Sequence, residues 1–171
     1  MVHVYTGDGK GKTTAALGLA LRAMGWGARV CMVQFIKGYA EIGEGRFARE
    51  MGERFVLKQF ACDPCRNIAE AKLKQRKQAC EMALGFAEEV ITGGNYGVVI
   101  LDEVCNAVHY GLIDCARIME LIERAPANVE LVVTGRNAPP ALIEVADYVT
   151  EMRSVRHPHE KGTPARRGID Y

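Results

Sequence analysis

A glycine-rich stretch near the amino terminus has the residue types and spacing of a phosphate-binding loop. It runs from position 6 to 14 and contains three glycines, which let the backbone curl so that successive N–H groups point at phosphate oxygens. Lys12 supplies a positive charge for the outer phosphates, and the Thr13 hydroxyl is a hard oxygen ligand suited to Mg²⁺. The match is imperfect, because the motif has glycine five residues before Gly11 and this chain has Thr6 there. The structural alternative is a turn without a ligand, but Gly-Lys-Thr-Thr at a helix start has little purely structural use.

The segments on either side of the loop are those that the motif requires. Val2–Thr6 is predicted to be a strand, and residues 12–24 a helix that Gly25 and Gly27 stop. The free N–H groups and positive dipole end of that helix add to the loop. We therefore predict that ATP or a similar nucleotide contacts the whole loop: Gly7, Asp8, Gly9, Lys10, Gly11, Lys12, Thr13 and Thr14.

Two adjacent carboxylates follow a second apolar run. Residues 97–102 are predicted to form a strand buried on both faces, so Asp102 and Glu103 emerge at the carboxyl edge of the sheet, where ligands bind in open α/β folds. Either carboxylate is suited to hold Mg²⁺, directly or through water. The structural alternative for Asp102 is to cap a following helix. Together with the phosphate loop, the metal role is the better interpretation.

Other side chains give weaker signals. Arg136 follows a strand at the same edge, and it either contacts a phosphate or lies in a turn that caps the next helix. Arg22, further along the first helix, either points back toward the triphosphate or lies at the surface. Cys62 and Cys65 have the spacing of zinc ligands, but a structural zinc site needs four ligands and no second pair follows. We interpret these two cysteines as incidental thiols of a loop.

Apolar strand-like runs alternate with helical patterns along the rest of the chain. Further strands are predicted at 29–35, 55–60, 129–134 and 148–152, and helices at 69–91, after Asp114 and over 139–146. Residues 36–50 are predicted to form a loop followed by a short helix. Strands this apolar are typical of a parallel sheet covered on both faces. The predicted fold is therefore α/β, with a mainly parallel sheet flanked by helices, as in the RecA-like P-loop NTPases.

Composition and charge exclude several classes of protein. The chain has 171 residues, of which 49% are hydrophobic and 25% charged, close to globular averages. A net charge of +1 removes the electrostatic argument for a general nucleic-acid binder. No apolar run approaches the roughly 20 residues that span a bilayer, and the first residues do not form a signal peptide. We expect a cytoplasmic protein with no membrane partner, in which the six cysteines form no disulfides.

The C-terminal end differs in composition from the rest. Residues 1–152 are predicted to form one nucleotide-binding α/β domain, and residues 153–171 a basic tail with five Lys or Arg, two His and two Pro. Such a tail is often solvated at a chain terminus. The other interpretation is that it covers the active site.

Several segments together resemble one known family. They are the loop at 7–14, the run Val-Gln-Phe-Ile-Lys-Gly at 33–38, Leu-Asp-Glu at 101–103, Thr-Gly-Arg at 134–136 and the end of the chain from 156 to 171. The phosphate loop alone is generic, whereas the run at 33–38 and the final Arg-Gly-Ile-Asp-Tyr are far more specific. Over nearly its whole length the chain is similar to the P-loop ATP:corrinoid adenosyltransferases.

This resemblance implies a chemistry that the motifs alone do not. Enzymes of this family transfer the 5′-deoxyadenosyl group of ATP to the Co(I) of a reduced corrinoid (cobalamin, cobinamide or cobyrinic acid a,c-diamide) and release triphosphate. No protein nucleophile is needed, so the site has to position the reactants and neutralise the leaving group. Carried over by position, Lys12, Thr13 and Glu103 are the catalytic set: Lys12 and Thr13 contact phosphate and metal, and Glu103 binds magnesium. Arg22 carries over as a phosphate contact.

The family resemblance also implies ATP bound in the reverse sense along the loop, a homodimer, and a flavoprotein reductase as a candidate partner. Some members place a Phe-Thr-Trp segment after the third strand, which keeps the lower axial position of cobalt free. The corresponding stretch at 60–65 has no tryptophan, since the one tryptophan is Trp26. Some members also have an N-terminal extension over the site, a role that 36–50 or the tail would take here. The alternatives are a P-loop kinase or ATPase, which would be expected to have an arginine-rich lid, and a non-catalytic nucleotide-binding regulator.

Overall fold

A computed structural model of the chain describes residues 1–38, 41–60 and 70–170, with the side chains of 70–72 and 159 left aside. Six strands form one sheet. In chain order they are β1 (Val2–Thr6), β2 (Val30–Gln34), β3 (Phe55–Gln59), β4 (Val98–Asp102), β5 (Glu130–Thr134) and β6 (Tyr148–Glu151). The helices are α1 (Lys12–Gly25), α2 (Gly43–Met51), α3 (Glu70–Thr92), α4 (Val104–His109), α5 (Cys115–Arg124) and α6 (Pro140–Val145). Short 3₁₀ turns lie at Gly52–Arg54 and Pro158–Lys161.

The strands run parallel throughout, in the order β3-β2-β4-β5-β1-β6. β5 therefore lies between β1, which leads into the glycine-rich loop, and β4, which ends at Asp102. Parallel strands have their carboxyl ends at one edge of the sheet, so the segments that follow these three strands meet there. This arrangement confirms the predicted fold class, a parallel sheet flanked by helices.

Helices cover both faces of the sheet, and the strands β2 and β4 are buried at every position. On one face, Ala16 and Ala20 of α1 and Phe47 of α2 pack against apolar side chains of the sheet. On the other face, α3 and α5 pack through residues such as Leu84 and Ile118. Burying a side chain of this size contributes about 1.5–3 kcal/mol. The core therefore fixes the strand order, and with it the meeting of the three strand ends.

The predicted strands and helices are present, with ends shifted by one or two residues. Asp114 caps α5 as predicted, since its Oδ1 accepts a hydrogen bond from the Ala116 N–H at 3.0 Å. The short helix predicted within 36–50 is α2, and α3 occupies the predicted 69–91 segment. Sequence reasoning missed α4, which has only six residues and follows β4 directly. A helix this short shows less than two full turns of apolar period.

Two further sequence expectations concern cysteines and membranes. Cys31, Cys80, Cys105 and Cys115 are not joined in disulfides, and the first three are buried in the core. Burial raises the pKa of both the Cys31 and Cys105 thiols to about 12, so these two behave as small apolar groups. The interpretation of Cys62 and Cys65 concerns residues outside those that the structure describes. Within the described part of the chain, no helix is both long and apolar enough to cross a membrane.

Candidate active site

The glycine-rich loop between β1 and α1 packs tightly against the end of β6. The Gly9 N–H donates to the Met152 carbonyl at 2.6 Å, and the Met152 N–H donates to the Thr6 carbonyl at 2.8 Å. Gly7 has a φ of +92°, and a Cβ at this position would lie 2.5 Å from the Met152 carbonyl oxygen. Both the backbone conformation and the close approach therefore require glycine at this position.

Lys12, the first residue of α1, folds back over this loop. Its Nζ donates to the carbonyl oxygens of Gly7 at 2.6 Å and Gly9 at 2.7 Å. Burial and the nearby Arg136 guanidinium lower the pKa of Lys12, although Glu103 and Asp8 partly offset this. The lowered pKa means that the charged form of Lys12 is disfavoured here. The negative charge of a polyphosphate bound in the loop would stabilise it.

Asp102, the last residue of β4, is the fully buried centre of the polar network at this edge of the sheet. Its Oδ1 accepts hydrogen bonds from the hydroxyls of Thr134 at 2.7 Å and Thr13 at 2.9 Å. Its Oδ2 accepts from Lys37 Nζ at 3.0 Å and Gln34 Nε2 at 3.1 Å. Four donors satisfy the carboxylate, which is what a buried charge requires. Asp102 therefore does not cap α4, whose N-cap residue is Glu103.

Glu103 occupies a strained backbone position beside this network. Its φ of 61° lies in the left-handed region, which is uncommon for a residue with a Cβ. Its N–H donates to the Thr134 hydroxyl oxygen at 2.9 Å, so Thr134 connects Glu103 to Asp102. Burial raises the pKa of Glu103, and the neighbouring Asp102 charge adds to this, while Lys37 opposes it. Residues with strained backbones and carboxylates with shifted pKa values are both concentrated at functional sites. Both features therefore indicate that Glu103 belongs to a functional site.

Lys37 is a site residue that sequence reasoning did not single out. Its Nζ lies 2.9 Å from Thr13 Oγ1, 3.0 Å from Asp102 Oδ2 and 3.7 Å from Glu103 Oε1. Burial by itself would lower the pKa of Lys37, but Asp102 and Glu103 outweigh it and the pKa is raised, so the ammonium is charged at neutral pH. The sequence signal was available, because Lys37 lies in the run at 33–38 that carries much of the family resemblance.

Arg136 approaches the glycine-rich loop from the segment after β5. Its Nη2 donates to the Asp8 carbonyl at 3.5 Å, and its Nε lies 3.9 Å from Asp8 Oδ1. The Asn106 side chain positions this segment by accepting the Arg136 N–H at 2.5 Å. Gly135 allows the close approach, since it has a φ of +144° and a Cβ there would lie 2.6 Å from Asn106 Oδ1. Pro139 is the N-cap of α6 without a side-chain cap, so Arg136 is a neighbour of the loop and not a helix cap.

Three further residues were predicted to contact the nucleotide, and they lie in different surroundings: Lys10, Thr14 and Arg22. Lys10 Nζ lies 3.9 Å from Asp170 Oδ1, which places the C-terminal tail beside the loop. Thr14 is exposed in the first turn of α1. Arg22 is also exposed, and ten residues of helix separate it from Lys12, which is about 15 Å along the axis. The structure therefore brings the loop, Asp102, Glu103 and Arg136 together, but it leaves Arg22 apart from them.

The oxygen atoms of Thr13, Asp102 and Glu103 suit a magnesium ion. Within the described residues, no cluster of three or more His, Cys, Asp or Glu side chains could hold a metal by itself. Mg²⁺ does not need one, because it keeps several waters and binds through one or two carboxylates plus substrate phosphates. The Lys37 ammonium already lies among these three oxygens, which shows that they accept a cation.

Comparisons with known proteins place the chain in a family. The whole chain, residues 1–171, matches the family described as ATP:corrinoid adenosyltransferase BtuR/CobO/CobP. The corrinoid adenosyltransferase of Pseudomonas aeruginosa is 38% identical over 177 residues, which cover 98% of this chain and 82% of that relative. Those of Escherichia coli K12 and Salmonella typhimurium are 33% and 32% identical over 173 residues, which cover all of this chain and 85% of each relative.

Among solved structures, the flagellar accessory protein FlaH from Methanocaldococcus jannaschii has a related fold. It superposes with a TM-score of 0.54 at 12% identity, over 88% of this chain and 69% of its own. This likeness concerns the fold alone, and the sequence matches carry the family assignment. A match over every residue, with relatives above 30% identity, is sufficient: the chain belongs to the family of ATP:corrinoid adenosyltransferases.

Proposed function

We propose that this protein transfers the 5′-deoxyadenosyl group of ATP to the Co(I) of a reduced corrinoid and releases triphosphate. The family makes it an ATP-dependent transferase of corrinoid metabolism, in synthesis or salvage. The observation in the site that supports this best is the convergence of three cationic side chains, Lys12, Lys37 and Arg136, on one phosphate-type loop. Such a set suits the binding and neutralisation of a large polyphosphate leaving group.

The reaction needs positioning and charge stabilisation from the protein. The electron pair of Co(I) forms a bond to the ribose C5′ carbon, and the C5′–O bond breaks. Its electron pair leaves with the triphosphate, and cobalt becomes Co(III). No proton has to move, so the catalytic role falls to groups that hold the triphosphate in line and stabilise the charge on its departing oxygen. In this proposal Lys12 fills this role together with the loop N–H groups that, unlike the Gly9 N–H, are not bonded within the protein.

Magnesium is the metal that these residues would hold. Thr13, Asp102 and Glu103 would bind it, and when bound it supplies positive charge that stabilises the departing triphosphate. Thr13 and Asp102 already share a hydrogen bond of 2.9 Å, so both oxygens are oriented before any ligand arrives. The loop residues 7–14 and Arg136 then form the remaining nucleotide contacts.

Several finer assignments belong to the same proposal. We propose that ATP lies in the reverse sense along the loop, with C5′ toward the corrinoid, and that Arg22 contacts a phosphate only if the nucleotide extends along α1. We also propose the division into a domain at 1–152 and a tail at 153–171 that covers the site. The ion pair between Lys10 and Asp170 supports a covering tail. A homodimer, a flavoprotein reductase as partner and a cytoplasmic location complete the proposal.

The test is an anaerobic incubation with ATP, Mg²⁺ and chemically reduced cobalamin or cobinamide. We expect the absorption spectrum of an adenosylated corrinoid in the dark, and its loss on illumination, because the cobalt–carbon bond is light-sensitive. The Lys12→Ala variant is the matched control and is expected to give little product. Formation of ADP and phosphate would instead indicate a kinase or ATPase, and nucleotide binding without turnover would indicate a regulator.

A further inference from the structure

One cation already lies at the point where the three proposed magnesium ligands converge. The Lys37 ammonium is 2.9 Å from the Thr13 hydroxyl oxygen, 3.0 Å from Asp102 Oδ2 and 3.7 Å from Glu103 Oε1. Mg²⁺ binds oxygen ligands at about 2.0–2.1 Å. An ion bound to these oxygens and the ammonium therefore compete for the same space and the same lone pairs.

The charges at this point also oppose the binding of free metal. Asp102 and Glu103 contribute two negative charges, and Lys37 contributes one positive charge within hydrogen-bonding or ion-pair distance of both. A divalent cation that entered this site would find the negative charge of the carboxylates partly neutralised, and the Lys37 ammonium would repel it. A polyphosphate that arrives with the metal changes this balance, because its oxygens offer the ammonium a new partner.

The surrounding network keeps the buried Asp102 carboxylate hydrogen-bonded when Lys37 leaves. Asp102 would keep its hydrogen bonds from Thr13, Thr134 and Gln34, which come from three other elements. Lys37 itself lies in the irregular segment that follows β2, so its side chain can turn without breaking a helix or a strand. Its departure leaves Asp102 hydrogen-bonded but without its cationic partner, and the arriving metal ion would restore that positive charge.

We propose that Lys37 is a resident counter-ion of the metal site, which yields to magnesium only when the metal arrives together with ATP, and which then pairs with the triphosphate. This inference rests on the proposed magnesium site. It assigns Lys37 a positioning role with two states: on the carboxylates without nucleotide, and on phosphate with it. The consequence is ordered loading, in which the metal and the nucleotide enter as one complex.

The experiment measures the binding of Mn²⁺, used in place of Mg²⁺, to the full chain by electron paramagnetic resonance. Without nucleotide, wild type should bind Mn²⁺ weakly, and Lys37→Met should bind it at least about tenfold more tightly, because a like charge about 3–4 Å away is removed. Lys37→Arg keeps the positive charge, so this variant should bind Mn²⁺ as weakly as wild type does. Lys77→Met makes the same change of charge on the exposed surface of α3 and should behave like wild type.

Two further measurements complete the design. Adding Glu103→Gln to Lys37→Met should remove the gained Mn²⁺ binding, which locates the metal at these oxygens. The affinity of Lys37→Met for ATP in the presence of Mn²⁺ should fall about tenfold, since one charged contact with phosphate is lost. If the Met variant does not fold, Lys37→Gln carries the same test with a polar side chain.

The outcomes separate this inference from the proposed function. Equal Mn²⁺ affinity of wild type and Lys37→Met without nucleotide, together with tight Mn²⁺ binding to wild type in the presence of ATP, would overturn the inference and leave the proposed function standing. Failure of wild type to bind Mn²⁺ even with ATP would overturn the magnesium site itself. Tighter binding in the Met variant, reversed by Glu103→Gln, would establish the counter-ion role.

Discussion

Replacing Thr134 with valine removes one hydroxyl that connects β5 to the Asp102 carboxylate and to the backbone N–H of Glu103. Thr134 is fully buried, and its Oγ1 donates to Asp102 at 2.7 Å and accepts the Glu103 N–H at 2.9 Å. Valine has nearly the same shape, so the core packing is kept and only the two hydrogen bonds are lost. The Glu103 N–H is left without this acceptor, next to a strained backbone position.

The size of the effect follows from these two bonds. A hydrogen bond to a charged group contributes about 1.5–3 kcal/mol, and a buried N–H left without a partner costs about 1–3 kcal/mol. Asp102 keeps three other donors, which favours the lower end of the first range. We therefore expect Thr134→Val to lower the free energy of unfolding by about 2–4 kcal/mol. In a chain of this size that corresponds to a fall in Tm of about 5–15 °C.

The assay is thermal unfolding followed by circular dichroism, with urea unfolding as a second probe. Thr150→Val is the matched control, because Thr150 is exposed on the edge strand β6 and its loss should change stability by less than about 0.5 kcal/mol. The KM for ATP should also rise in Thr134→Val, since Asp102 is less firmly held. A Tm within about 1 °C of wild type would refute the reasoning that the Thr134 hydroxyl holds the Asp102 carboxylate and the Glu103 backbone N–H together.

Three further changes test other parts of the site. Lys12→Met should weaken ATP binding by about ten- to a hundredfold, since a charged contact worth about 1.5–3 kcal/mol is lost; unchanged affinity by calorimetry would contradict the assigned role. Gly135→Ala should lower the free energy of unfolding by about 1–3 kcal/mol, because the position has a positive φ and lacks space for a Cβ; urea unfolding measures it, and wild-type stability would count against the close approach. Glu103→Gln tests pH dependence. Because burial raises the pKa of Glu103, the folded state binds its proton more tightly, and stability is lost as pH rises past the ordinary glutamate range. The stability of Glu103→Gln relative to wild type should therefore be greater at pH 7 than at pH 4, and an equal difference at both values would speak against this shift.

The alternation of strands and helices could be predicted from the sequence because apolar runs and turn residues are local signals. The glycine loop, Asp102 and Glu103 could be predicted as well, since each follows a strand and parallel strands end at one edge. The sequence could not decide whether Asp102 binds a cation or caps a helix. That answer depends on donors from β2 and β5 and from the segment after β2, which lie 32 to 68 positions away in the chain.

Thr134 and Lys37 show why part of the site was missed. Neither has a motif of its own for metal binding, and each becomes a site residue only when the strand order places it beside Asp102. Arg22 is the opposite case, a residue predicted to contact phosphate that nothing in the described part of the structure supports or contradicts. It was predicted by position in the family, but the rise of a helix sets it about 15 Å along the axis from Lys12. Its contact with phosphate stays a prediction.

The central claim is that carbon, and not phosphorus, is the centre attacked in ATP. Phosphorus NMR of a single-turnover mixture with ATP and reduced cobalamin tests it most directly, because it identifies the phosphate species that leaves. We expect intact triphosphate in a one-to-one ratio with adenosylated corrinoid, and no triphosphate from the Lys12→Ala variant. ADP with orthophosphate in place of triphosphate would contradict it.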